Sequence, residues 1–442
     1  MSEIPRHITA LLAALKFCGS EPEALRNLTD SEWGVLLSRW EFVRLTVLLR
    51  HVCGDILPDW VRSQMDLNLC DNAERFEGIK GVYSDFVKAF GETGTQHLVL
   101  KGFAQWPGYS EHPRFRLQSD IDIFCPPESI FQARNALVTL GYEPVKGLDF
   151  RAADHWPSMV PKTRWKWRGN HFDPQIPVSF ELHFCFWNES VARFGPKGLD
   201  QFWFRRIERR LDDISFPALN AVDNLGYTAL NLTRNLLHEG ASPYQVYELA
   251  RFLHTNADNG PFWKTWRESH DDSLRRLEAI SFRLAVDRFA CSLAGEAEEE
   301  INCLPSAVKR WFDNFAASPF TAPFCSNRDG LWLHLSLLES AADKRSVLRE
   351  RLLPTRLPPI ERVDLADESR GMEGVSRSPL WKRARYVAHM IPRAASHMRI
   401  LPSTLWHGVR WRWPTRTLER KSAESGRSRV DSKTVHSGDE AR

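Results

Sequence analysis

The chain has 442 residues, 43% hydrophobic and 26% charged, an ordinary globular balance with room for two or three buried cores. A formal net charge of +3 is too small to imply a nucleic-acid partner by itself. The eight cysteines are scattered with no close Cys-x-x-Cys pair, which argues against a zinc ribbon or a redox dithiol and for reduced, mostly buried thiols. With no signal-peptide pattern and no uncharged run long enough to span a bilayer, a cytoplasmic protein is expected.

Residues 5–94 read as helical. Trp33, Leu36, Leu37, Trp40, Val43 and Val47 recur at three- and four-residue steps, with Asp30 or Ser31 as the expected cap. Asp71–Phe90 is a second amphipathic run, stopped by Gly91 and Gly94. The pattern then changes. His97–Leu100 is a short apolar strand ending at Lys101-Gly102. Ser119–Cys125 alternates Asp120 and Asp122 with Ile121 and Ile123, the period of a strand. A helix over Ser129–Leu140 ends at Gly141. A second alternating strand, Val178–Phe186, sets Val178, Phe180, Leu182 and Phe184 against Ser179, Glu181, His183 and Cys185.

The helical period returns near residue 219, in Leu225–His238, Tyr244–His254, Phe262–Leu293, Ala307–Ala317 and Leu331–Leu352. A boundary is expected near Pro354. Beyond it the chain turns basic: eleven Lys or Arg stand against one acid between Arg377 and Lys421, and the last twenty residues read as disordered. The expected organisation is an N-terminal helical region (1–94), a core with a small sheet (95–218), a C-terminal helical domain (219–353) and a basic tail (354–442), an α+β fold overall.

Two carboxylates at i and i+2 of a strand project from one face, a costly arrangement unless a divalent cation neutralises it. Such a pair suits phosphoryl transfer, where charge on the phosphate oxygens must be neutralised. A bare Asp-x-Asp is most often a solvated strand edge, so its neighbours matter. The strand ending in Lys101-Gly102 offers a glycine turn and a cation to phosphates, and Arg114 and Arg116 lie just upstream of the pair. Glu181 is an acid within the apolar run Phe-Glu-Leu-His-Phe, either a third metal ligand or a salt-bridged sheet residue. Asp173, in His-Phe-Asp-Pro, is the competing third carboxylate, although Asp-Pro usually marks a turn. His183 reads as a half-buried histidine, since magnesium prefers oxygen, and His238 and Glu239 read as a helix end. Two clusters, Arg164-Trp-Lys-Trp-Arg168 and Arg410-Trp-Arg-Trp413, suit base stacking, a partner or a membrane surface.

The run Leu98-Val-Leu-Lys-Gly102, then Arg116-Leu-Gln-Ser-Asp-Ile-Asp122, then a helix ending Leu140-Gly-Tyr142, resembles the uncharacterised bacterial nucleotidyltransferases of the DNA polymerase beta superfamily. The final strand of that pattern, usually Asp-x-His, is Glu181-Leu-His183 here, and the resemblance covers about residues 70–255. It implies a small mixed sheet flanked by helices, with Asp120, Asp122 and Glu181 as catalytic metal ligands for Mg2+ or Mn2+. Lys101, Gly102, Arg116 and Ser119 are the expected nucleotide contacts, with a simple strand-end cap as the alternative for Lys101. The implied reaction transfers a nucleoside monophosphate from a nucleoside triphosphate to a hydroxyl-bearing acceptor: a small molecule, a sugar or lipid intermediate, a protein or RNA. The competing readings are a catalytically silent nucleotide- or partner-binding module and a purely structural helical protein. A membrane or protein partner through residues 377–421 is a further expectation.

Overall fold

The computed structural model describes residues 3–92, 94–145, 154–238, 240–353 and 379–412. The expected boundary at Pro354, the helix-end residue Glu239, Trp413 and the last twenty residues lie outside them. Four helices open the chain: α1 (Arg6–Ala14), α2 (Asp30–Ser38), α3 (Trp40–Cys53) and α4 (Asp59–Gly91). Then come β1 (Leu98–Val99), β2 (Asp120–Phe124), α5 (Ile130–Thr139), β3 (Tyr142–Pro144), β4 (Met159–Pro161), β5 (Ser179–His183), α6 (Glu189–Ala192), α7 (Gln201–Phe204), β6 (Ile207–Leu211) and β7 (Ile214–Ala218). The C-terminal helices are α8 (Ala221–Leu237), α9 (Pro243–Thr255), α10 (Gly260–Ser269), α11 (Asp272–Phe289), α12 (Gly295–Asn302), α13 (Ser306–Phe315), α14 (Ser318–Thr321), α15 (Gly330–Leu337), α16 (Ala341–Leu352) and α17 (Pro379–Arg412).

The α+β expectation holds. The strands form one mixed sheet in the order β3-β4-β5-β2-β1-β7-β6. At its centre β2 runs parallel to β5 and antiparallel to β1. The alternation read from the sequence is the alternation observed: Ile121, Ile123, Val178, Phe180 and Leu182 pack with Ile79, Tyr83 and Phe86 of α4 and Ala133 and Leu137 of α5. Burying this apolar face forces Asp120, Asp122, Glu181 and His183 onto the other one. There a second cluster joins Phe124 and Phe186 to Tyr227 of α8, and extends through α9 and α11 to α1, α2 and α3. The N-terminal helices thus close over the C-terminal ones, with Phe17 N–H donating to the Phe289 carbonyl at 2.8 Å.

Three long helical runs are broken at polar residues whose side chains reach other elements or sit at the cap of the next helix. Trp33–Val47 divides at Arg39, whose ψ of 125° is extended and whose guanidinium donates to the Pro323 carbonyl at 2.9 Å. The cap of α2 is Thr29, in a capping box with Glu32, rather than Asp30 or Ser31. Phe262–Leu293 divides at His270, with Asp271 capping α11, and Leu331–Leu352 divides at Ser340, which caps α16. The cysteines are free, but Cys18, Cys70, Cys303 and Cys325 are exposed, so the expectation of mostly buried thiols is half met.

α17 docks by its C-terminal half, where His397 Nε2 lies 3.0 Å from the Leu352 carbonyl. His407 Nδ1 lies 2.6 Å from Asp329 Oδ1, and the Trp411 indole stacks on Trp332 at 5.9 Å while donating to the Ala307 carbonyl. Trp411, expected as part of a stacking or partner surface, is therefore spent on intramolecular packing. Among the described residues no helix is long and apolar enough to cross a membrane.

Candidate metal and nucleotide site

The register of β2 and β5 builds the site. Asp122 pairs with Glu181, Asp120 with Ser179 and Phe124 with His183, and in parallel neighbours paired residues share a face. One ligand atom each of Asp122, Glu181 and His183 lies within 4.8 Å of the others. Asp120, two residues before Asp122, stands half-buried on the same face.

Polar side chains hold this cluster in place. Lys101 Nζ sits 2.7 Å from Asp122 Oδ1, and His183 Nε2 lies 3.0 Å from the same oxygen. The other imidazole nitrogen is 3.4 Å from Asp154 Oδ2, and Asp154 is paired with Arg234 of α8. Glu181 accepts from Ser158 Oγ at 3.2 Å and lies 3.9 Å from His155 Nε2. Burial pushes the Asp122 carboxyl up, but the Lys101 ammonium and the His183 hydrogen bond outweigh it and hold it below the carboxylate range. Burial and the charges of Asp122 and Glu181 push Asp120 up to about 6. One acid of the pair is thus stabilised as a carboxylate by the protein's own cations, and the other is left short of positive charge.

The remaining expected residues divide. Lys101 faces the cluster. Gly102 has φ of +65° and presses on Gln118: a Cβ there would meet Gln118 Nε2 at 2.2 Å. That amide donates to the Asp120 carbonyl at 2.7 Å, so the glycine is required by the packing beneath the pair. Ser119 is half-buried immediately before β2. Arg116, expected to meet phosphate, lies 2.7 Å from Glu248 of α9 and donates to Gln105 at 2.8 Å. Arg114 is exposed. Asp173 makes the turn its Asp-Pro context suggests, accepting from the Gln175 N–H at 2.9 Å and the Trp165 indole at 3.3 Å. It lies outside the Asp122–Glu181–His183 group. His183 is fully buried rather than half-buried, held between two carboxylates. In the first aromatic cluster Trp165 is tied to Asp173, while Trp167 is 47% exposed.

Several contributors gave no signal in the sequence. Arg75 of α4 is 2% exposed and donates to the carbonyls of Gln118 at 2.8 Å and Ile176 at 2.8 Å, strapping the segments that lead into β2 and β5. Arg44 of α3 donates to the Leu117 carbonyl at 3.0 Å and lies close enough to pull the Asp120 carboxyl down. Asp154, His155 and Arg234 also line a cavity of about 240 Å3, with Trp187, Asn188 and His238 on its wall. Burial and the charges of Arg351, His334 and Arg234 hold His238 down to about 4, so it is neutral there. A helix-end role was read for His238, and it does follow the last residue of α8.

A family described as uncharacterised nucleotidyltransferase matches residues 30–290, more than half of the chain and all of the strands that carry the cluster. The chain belongs to this nucleotidyltransferase family. No curated protein and no solved structure matches it. The matched span begins at α2 and ends just past α11, so it takes in α2, α3, α8, α9 and α11 of the helices that close over the polar face of the sheet, while α1 lies before it.

Proposed function

We propose that the protein transfers a nucleoside monophosphate from a nucleoside triphosphate to a hydroxyl-bearing acceptor, on a polymerase beta-like core that uses Mg2+ or Mn2+. The observation that carries this reading is the register pairing of Asp122 with Glu181, beside Asp120, on the polar face of a sheet whose other face is core. The donor set fits a divalent cation. It offers carboxylate oxygens, with the Lys101 ammonium already drawn to Asp122 at 2.7 Å. Asp120, Asp122 and Glu181 would hold the ion, with His183 fixing the orientation of Asp122. When bound, the ion neutralises developing charge on the phosphate oxygens and leaving pyrophosphate.

The chain's own groups supply the rest. The acceptor oxygen attacks the α-phosphorus, the bond to the β-phosphate oxygen breaks, and pyrophosphate leaves. Glu181, half-buried and held by Ser158, takes the hydroxyl proton. Lys101, 2.7 Å from Asp122, would steady the triphosphate beside the carboxylates. The cavity beside Asp154 and His155 is the acceptor's place in this reading, because both residues also face the cluster, through His183 and Glu181 respectively.

Thermal melting with Mg2+ or Mn2+ and each of ATP, CTP, GTP and UTP tests the reading. A metal-dependent rise with a nucleotide is expected in the wild type and is lost in Asp120→Ala/Asp122→Ala and in the isosteric Asp122→Asn. A flat response from folded wild-type protein in every condition would refute it.

A further inference from the structure

Among the described residues, nothing covers an apolar stripe on α17. Val387, Ile391, Met398, Leu405 and Val409 follow one another at steps of four, seven, seven and four residues, which keeps them on one helix face. All five are exposed, Ile391 by 62% and Met398 by 64%. Trp406, 62% exposed, stands beside them. The side of the helix that meets protein is a different one, carrying Thr404, His407, Gly408 and Trp411. At 100° per residue, Arg399 and Arg410 border the stripe beyond Trp406, and Arg412 borders its other edge. The surrounding sequence, Arg377 to Lys421, carries eleven basic residues against one acid.

An exposed apolar stripe edged by arginines is the pattern of a helix lying in a membrane interface: apolar side chains enter the acyl boundary while cations meet headgroup phosphates. We propose that α17 docks the protein on an anionic lipid surface through Val387, Ile391, Met398, Leu405, Trp406 and Val409. Charge complementarity selects this occupant. Pairing the stripe with that of a second copy would set arginine borders against arginine borders, whereas anionic lipid attracts them. The helix rests on the surface and does not cross it, being too polar to span. Pro392 and Pro402 interrupt its backbone hydrogen bonding.

Flotation of the full chain with vesicles of phosphatidylcholine, with and without phosphatidylglycerol, tests the proposal, alongside sedimentation of the protein alone. Wild-type protein is expected to float with the anionic vesicles only, and less in high salt. Leu405→Asp/Trp406→Asp should lower partitioning by at least about tenfold. Its melting temperature should not change, since neither side chain is on the docked face. Arg399→Gln/Arg412→Gln should weaken flotation as well. The proposal is overturned if wild type does not float, if it floats equally with uncharged vesicles, or if the Asp variant floats like wild type. It is likewise overturned if the stripe turns out to mediate lipid-free dimerisation that the Asp variant abolishes.

Discussion

At the scale of single residues, the distinction that matters is between a side chain spent on the fold and one left for a ligand. Arg116 is spent: its guanidinium is matched by Glu248 and Gln105, both buried. Removing one member of such a buried pair strands the other's charge, which typically costs about 3–5 kcal/mol. Lys101 differs, since its ammonium meets Asp122 at the mouth of the cluster, where a cation would compete for the same carboxylate. Gly102 acts from beneath. With φ of +65° and Gln118 within 2.5 Å of where a Cβ would stand, Gly102→Ala must strain its own backbone and displace the amide that holds the Asp120 carbonyl. Gly102→Ala is expected to lose about 2 kcal/mol or more of stability in equilibrium denaturation, together with the metal-dependent melting shift. A neutral result would show that Gln118 moves away freely and that the pair does not depend on it.

At the scale of elements, buried polar straps decide where helices and strands sit relative to one another. Arg75 ties α4 to the segments leading into both central strands, so one guanidinium registers the two halves of the site. His270 does comparable work among α8, α10 and α11. It is fully buried, 3.0 Å from Glu278 and 3.3 Å from Asp223, and Asp223 is also paired with Arg205. Burial would lower its pKa, but the charge of Glu278 and the hydrogen bond to Asp223 raise it to about 9. Because the folded pKa lies above the unfolded value of about 6.5, the histidine's contribution is complete below pH 6.5. It declines as pH rises and is gone once pH passes about 9. Urea denaturation across pH 6–9.5 should therefore show wild type losing stability relative to His270→Gln, by a difference on the order of 3 kcal/mol at most. Parallel pH profiles for the two proteins would mean that the imidazole is not charged in the fold.

For the whole molecule, the question is what joins the central sheet to its surroundings. α1 to α3 share a hydrophobic cluster with α8, α9 and α11, so the polar face of the sheet is closed over by helices from both ends of the chain. α17 is attached more locally, through Trp411, His407, Gly408 and the His397 contact with the Leu352 carbonyl. Gly408 allows the contact: a Cβ there would lie 2.2 Å from Trp332 Cη2. Gly408→Leu is expected to release the docked end of α17 and make it sensitive to limited proteolysis, while nucleotide- and metal-dependent melting of the core persists. Protection equal to wild type would show that the helix is held by other contacts.

The sequence alone determined the α+β class, the two central strands, which faces they bury, and the Asp120, Asp122 and Glu181 candidates. It could do so because strand alternation is local: a period of two fixes which side chains share a face, whatever lies above them. The same local reading placed Asp173 in a turn. Helix breaks at Arg39, His270 and Ser340 escaped it, because the apolar period runs on past a residue whose side chain is held by a distant partner or caps the next helix. Only the tertiary structure brought Asp154, His155, Arg75 and Arg234 to the site, and only it turned Arg116 away to Glu248. The physical reason is the same in each case: a charged side chain's partner is chosen by packing between elements far apart in sequence, and no local pattern records that choice.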